Sequence, residues 1–165
     1  AFHEVMEHVD LISSAQAELL ARRTGACHGL NPAEADQITE MVCCCLDSTL
    51  LKRARIALES GMGMWRELPV VRPQNHGDVP LVAVEAKIDL LFEEENGWVL
   101  VDYKTDQVDG TSPAAEDALR ARYSAQLQEY GSALADLGIR VHSLYLLLAR
   151  TGTAIEIESP LRDAS

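Results

Sequence analysis

Between residues 64 and 104, three extended, apolar-rich stretches follow one another with very short connections. No other feature constrains the fold as tightly. Residues 64–71 read as a strand, with Pro69 marking an edge or a bulge. The run Arg72-Pro73-Gln74-Asn75-His76-Gly77-Asp78 is turn-rich. Residues 81–92 read as a second strand, Glu93 to Gly97 as a polar turn, and residues 98–104 as a third strand. A parallel crossover needs roughly a dozen or more residues, so these strands are expected to form an antiparallel meander. Beyond Asp106 and Gly110, Ser112 is a helix cap and Pro113 suits the first helical position, giving a helix that runs to Leu137 and stops at Gly138. Residues 141–149 form a strongly apolar fourth strand and residues 153–157 a fifth. The long helix can carry a crossover, so the expected class is α/β with a mixed central sheet flanked by helices.

The first 60 residues have a different pattern. Phe2, Val5, Met6, Val9, Ile12, Gln16 and Leu19 follow the three-and-four spacing of one helical face, predicting a helix over 2–22. Gly25 and Gly29 then break the chain. Asn31 is an N-cap before Pro32, and a second helix buries Ile38, Met41, Val42, Cys45 and Leu46 and continues, with a kink, to Leu58. Ser60-Gly61-Met62-Gly63 ends it. The four cysteines, Cys27, Cys43, Cys44 and Cys45, include three in succession that point three ways around a helix. They cannot converge on one metal ion, and no CxxC or His/Cys spacing supports zinc or an iron–sulfur cluster. They read as small apolar helix residues in a reducing cytosol.

A chain of 165 residues, 47% hydrophobic and 24% charged, suits one soluble domain: a helical segment over 1–60 and a sheet-and-helix core over 61–158. No apolar run is long enough to span a membrane. The start at Ala1-Phe2-His3-Glu4 has neither an initiator Met nor a signal peptide, and already lies within a helical pattern. The chain therefore reads as a C-terminal piece of a longer protein. The net charge of −12 weighs against nucleic acid, because phosphate contacts favour basic surface. Carboxylates that hold a cation, or a basic partner that delivers the strand, would reconcile the two.

Strand alternation puts Asp102 and Lys104 on one face and Val101 and Tyr103 on the other. In the neighbouring strand Asp89 interrupts an apolar stretch, and a hairpin of this length brings it near Asp102. Two close carboxylates repel each other, and a divalent cation stabilises them. Phosphodiester hydrolysis uses such a set: the cation polarises a phosphoryl oxygen and activates water, and an ammonium stabilises developing charge. Hard oxygen donors favour magnesium or manganese over zinc.

The segment from Val84 to Leu91, then Val101-Asp102-Tyr103-Lys104-Thr105-Asp106, then Tyr123-x-x-Gln126-Leu127-x-x-Tyr130 resembles the PD-(D/E)xK nuclease superfamily, RecB/AddA type. The opening Ala1-Phe2-His3-Glu4-Val5-Met6 is similar to the family's histidine-bearing helix. The motifs occur in family order over residues 1–150. The resemblance implies a restriction-endonuclease-like core. It implies Mg2+ or Mn2+ held by His3, Asp89, Asp102 and the backbone carbonyl of Tyr103, with Lys104 as the catalytic lysine. Gln126 and Tyr130 would face the site or the DNA, and Glu67 matches a glutamate on the family's first strand. It further implies a DNA end-processing exonuclease in recombinational double-strand break repair, cytoplasmic and DNA-associated. That nuclease would be joined to a UvrD-like helicase domain in the same chain and work beside a second helicase–nuclease subunit. No nucleotide-binding loop is present, so ATP-dependent helicase activity would belong to the rest of that chain. One departure is Ala86, where the pattern has Gly.

Simpler readings exist for each residue. Asp102 with Lys104 is also what an edge-strand salt bridge looks like. Tyr123, Gln126, Leu127 and Tyr130 also fit the core face of an amphipathic helix, and Leu127 is core on either reading. Glu93-Glu94-Glu95 reads as a solvated turn, His28, His76 and His142 as structural or surface residues, and Trp65 and Trp98 as packing. The alternative to an enzyme is a catalytically silent scaffold that binds or routes DNA or braces a helicase. RNA is a further substrate class for the same fold.

Overall fold

Three polar caps set the helical layers. Asn31 accepts from the N–H of Glu34 at 3.0 Å while the Glu34 carboxylate accepts from the N–H of Asn31 at 2.8 Å, a reciprocal capping box. Ser48 accepts from Leu51 N at 3.1 Å, and Ser112 from Ala115 N at 3.3 Å. The computed structural model describes residues 1–11, 16–74, 82–106 and 112–158, without the side chains of 72–74 and 82–86. Its elements are α1 (Phe2–His8), α2 (Ala17–Cys27), α3 (Pro32–Asp47), α4 (Thr49–Glu59), β1 (Met64–Gln74), β2 (Val82–Glu94), β3 (Gly97–Lys104), α5 (Pro113–Asp136), β4 (Val141–Leu148) and β5 (Thr153–Ile157).

The five strands form one mixed sheet in the order β1-β2-β3-β4-β5. The first three make the expected antiparallel meander, β3 and β4 are parallel with α5 between them in sequence, and β5 returns antiparallel. This is the restriction-endonuclease-like α/β arrangement. Pro69 sits on edge strand β1, as its missing N–H requires, and Ala86 lies within β2 opposite Val70. The segment between Gln74 and Val82, expected to be a turn, lies outside the described residues, and His76 and Gly77 with it.

Central strand β3 is buried on both faces and divides the core in two. Val99, Val101 and Tyr103 pack with Leu90 and Phe92 against α1–α4, while Leu100 joins Leu91, Leu144 and Leu146 against Leu127 and Leu134 of α5. Leu127 is fully buried, as read from its periodicity.

The helical segment departs from expectation in four ways. The helix read over 2–22 is two helices. α1 stops at His8, with Val9 extended (φ −65°, ψ 137°), and Ile12 lies outside the described residues. Leu19, assigned to the buried face, is 60% exposed, because α2 has its own axis and its own buried face through Ala17, Ala21 and Thr24. Gly25 does not break the chain but lies buried inside α2, where an added Cβ would stand 3.2 Å from the Ala35 Cβ of α3. The break comes at Gly29, whose φ of 70° suits glycine. The expected kink before Leu58 is a full break at Ser48 (ψ 150°), which ends α3 and caps α4. Of the cysteines only Cys45 is buried; Cys44 is intermediate, and Cys27 and Cys43 are exposed.

Candidate metal centre

Strand register brings three acidic residues into one row. The β1–β2 ladder pairs Arg66 with Leu90 and Leu68 with Ile88, so Glu67 falls opposite Asp89 at the one position skipped between them. The β2–β3 ladder ends at Leu90 with Val101, and the same register continued puts Asp89 opposite Asp102. Pairing lapses at the row. Glu67 adopts a left-handed φ of 50°, and Asp89 turns its carboxylate to the β3 backbone, where Oδ2 accepts from Tyr103 N at 2.6 Å. Here the sheet's polar edge opens a cleft of about 350 Å3, lined among others by His3, Lys87, Asp89, Asp102, Lys104 and Tyr123. A larger cleft of about 440 Å3 lies between α5 and β5, but it holds none of the residues singled out from the sequence.

On β3, Lys104 Nζ lies 2.6 Å from Asp102 Oδ2, with both side chains largely buried (15% and 6% exposed). The ammonium also reaches Gln126 Oε1 at 3.4 Å and stands over the Tyr123 ring, 4.1 Å from its centroid. Gln126 Nε2 donates to the Tyr130 hydroxyl at 2.6 Å, which leaves the amide oxygen facing Lys104. Tyr123 donates its own hydroxyl hydrogen bond to Asp106. The three α5 residues are one turn apart in succession, so one helical stripe brackets the lysine.

His3 arrives from the opposite layer. Its Nε2 is 3.6 Å from Asp89 Oδ2. Two contacts orient α1 for this. Arg66 of β1 donates through Nη1 to the carbonyls of Glu7 and Val9 at 3.0 and 2.6 Å, closing the helix C-terminus. Phe2 packs edge-on against Tyr103, with ring centroids 5.8 Å apart.

The electrostatics are those of charge held short of compensation. Burial, then the neighbouring Asp102 carboxylate, push Asp89 up to about 7. Burial also raises Asp102, against the Lys104 ammonium that lowers it. Asp102 Oδ2 is fully buried, and its contact with the ammonium lies outside hydrogen-bond geometry. Two hard carboxylates, one of which raises the other's proton affinity and has an incompletely satisfied oxygen, and an imidazole beside them fit a divalent cation. Among the described residues, no three His, Cys, Asp or Glu side chains are arranged to hold a metal ion as they stand.

The model of the PD-(D/E)XK nuclease superfamily matches residues 1–162. This chain belongs to that superfamily. It is 50% identical over 74 residues to the A subunit of the ATP-dependent helicase/nuclease of Desulforudis audaxviator (strain MP104C), a match covering 44% of this chain and 6% of the relative. It is 32% identical over 151 residues to the corresponding A subunits of Bacillus anthracis and Bacillus thuringiensis (strain Al Hakam), covering 81% of this chain and 12% of each. The PD-(D/E)XK chain thus spans about an eighth of the length of these Bacillus relatives.

All the residues singled out from the sequence stand around one cleft: His3, Asp89, Asp102, Tyr103, Lys104, Gln126 and Tyr130. Glu67 adjoins it through Lys87, whose Nζ is 2.7 Å from Glu67 Oε2. Sequence reasoning missed Lys87, Arg66 and the Tyr123–Asp106 pair. Lys87 carried a usable signal, since it stands two residues before Asp89 and shares its strand face. Arg66 carried none, because its partners lie 57–60 positions away. Of the histidines read as structural or surface residues, His28 Nε2 lies 2.5 Å from Glu4 and His142 stands 3.5 Å from Glu94. Trp65 and Trp98 stack on each other, 4.5 Å between centroids, although Trp65 is 43% exposed. Glu94 is no solvated turn residue, since Arg53 grips it at 2.9 and 2.8 Å. No helix among the described residues is long and apolar enough to cross a membrane.

Proposed function

We propose that this chain is a Mg2+- or Mn2+-dependent deoxyribonuclease domain that hydrolyses phosphodiester bonds at DNA ends. The observation that carries the reading is the convergence of Asp89, Asp102 and Lys104 at one strand end, with His3 supplied from the opposite layer. Asp89, Asp102, His3 and the Tyr103 carbonyl would hold the cation. A bound divalent cation supplies Lewis acidity and lowers the pKa of a ligated water.

The chain's own groups do the rest. Asp102, desolvated and fixed on β3, keeps Lys104 in the cleft. Gln126, its amide oriented by Tyr130, accepts from the ammonium and limits its swing. Tyr123 supports the same ammonium with its ring face. Lys104 is thereby aimed to orient attacking water and to stabilise negative charge developing on the phosphoryl oxygens. By similarity to the helicase/nuclease relatives, the domain works within an ATP-dependent helicase–nuclease. It acts with a helicase domain of the same chain and a second subunit, in recombinational break repair in the cytoplasm.

The test is cleavage of single-stranded and duplex DNA with Mg2+ or Mn2+, alone and joined to the helicase. A metal-replete protein that cleaves neither would sink the reading. One observation favours the rival, a silent scaffold that binds or routes DNA: Lys104 is closed onto Asp102, and no ready three-ligand group stands among the described residues. A divalent-metal titration separates them, because a silent scaffold shows no metal-dependent rise in melting temperature. Matched DNA and RNA strands decide the substrate class.

A further inference from the structure

Lys87 stands two residues before Asp89 on β2. Alternation turns both side chains to one face, about 6.7 Å apart along the strand. Both line the cleft, with Lys104 between β3 and α5. The two lysines differ in setting. Lys104 is 15% exposed and closed onto Asp102, whereas Lys87 is 58% exposed at the rim. The partner of Lys87 is unusual: Glu67 is only 9% exposed on its side chain and sits on a left-handed backbone beside the cleft-lining lysine. A largely buried carboxylate therefore holds an exposed ammonium of a residue that lines the acidic site. An ion pair with one exposed partner is easily opened, so a phosphate can take the ammonium from Glu67.

A strand with a scissile phosphate at the Asp89–Asp102 row needs its neighbouring phosphate held as well, and a chain of net charge −12 has few cations for the task. We infer that Lys87 is a positioning residue that grips the backbone phosphate adjoining the one at the Asp89–Asp102 site. The inference rests on the nuclease reading above and adds the polyanion's second point of attachment.

Each single-strand phosphate contact contributes about 0.7 to the slope of log affinity against log salt. The experiment compares the parent, Lys87→Ala, Lys87→Arg and Lys52→Ala, which removes an exposed charge on α4. Cleavage of a thymidine oligonucleotide with Mg2+ is followed between low and moderate salt. Binding is followed by anisotropy in a Lys104→Ala background, with thermal melts to establish folding. Lys87→Ala raises KM about three- to tenfold at low salt with kcat within about twofold, and flattens the binding slope by about 0.7. Lys87→Arg restores both, and Lys52→Ala matches the parent. Parent-like KM and slope in Lys87→Ala, or a loss confined to kcat, overturn the inference. A parent that binds the oligonucleotide without cleaving it counts against the nuclease reading alone, and the binding slope still decides the role of Lys87.

Discussion

The two ends of the β2–β3 ladder treat carboxylates in opposite ways. At the turn end, Arg53 holds Glu94 through two charge-assisted hydrogen bonds and stacks on Tyr145, with His142 3.5 Å away. The Glu94 carboxyl is held below its usual range, chiefly by the Arg53 hydrogen bond. At the splayed end, Asp89 and Asp102 are largely buried, the one ammonium, Lys104, is paired with Asp102, and both carboxyls are pushed up. Both ends carry charge into a partly desolvated place, but only the turn end compensates it. On the proposed reading, residual electrostatic cost, rather than burial or charge alone, separates the candidate site from a structural ion pair.

The comparison can be broken most sharply by activity. Lys104→Ala should lower DNA cleavage about a hundredfold or more, while Arg53→Ala should leave the activity of the folded fraction within about twofold; steady-state rates on folded protein check both. Metal comes next. Saturating Mg2+ or Mn2+ should raise the parent's Tm by several degrees or more, a rise that Asp89→Asn and Asp102→Asn abolish and Glu94→Gln keeps, read by scanning calorimetry.

Stability runs the other way. Arg53→Ala should cost about 1–2 kcal/mol by urea unfolding, less than a fully buried pair because Arg53 is 34% exposed. The smallest effect is the pH response of metal-free protein. The lowered Glu94 contributes stability that is present above about 4.5 and lost as pH falls through its folded value. Asp89, raised to about 7, does the reverse: its contribution is full below about 3.8 and lost as pH rises through about 7. Urea midpoints measured in chelator should therefore fall toward both acid and neutral pH. Glu94→Gln should flatten the acid side and Asp89→Asn the neutral side.

The sheet and α5 were legible because their signals are local. Alternation set the faces of Asp102 and Lys104, short turns forced the meander, and Ser112-Pro113 marked the helix start. Asp89 near Asp102 followed from hairpin length alone. The helical layer was less legible. A 3.6-residue period carries across a break, so Leu19 looked continuous with Val5 although α1 ends at His8. The reach of Arg66 to α1 and the left-handed turn at Glu67 are tertiary, and no spacing in the chain announces them. Glu94 looked like solvated turn because its cation, Arg53, stands 41 residues earlier.

The most direct measurement is cleavage of single-stranded DNA by the parent and by Asp102→Asn, with Mg2+ or Mn2+ and then with chelator, beside melts that establish folding. The account predicts metal-dependent cleavage by the parent, silenced by chelator and by the substitution. Equal cleavage by a folded Asp102→Asn, or cleavage that persists in chelator, would contradict it.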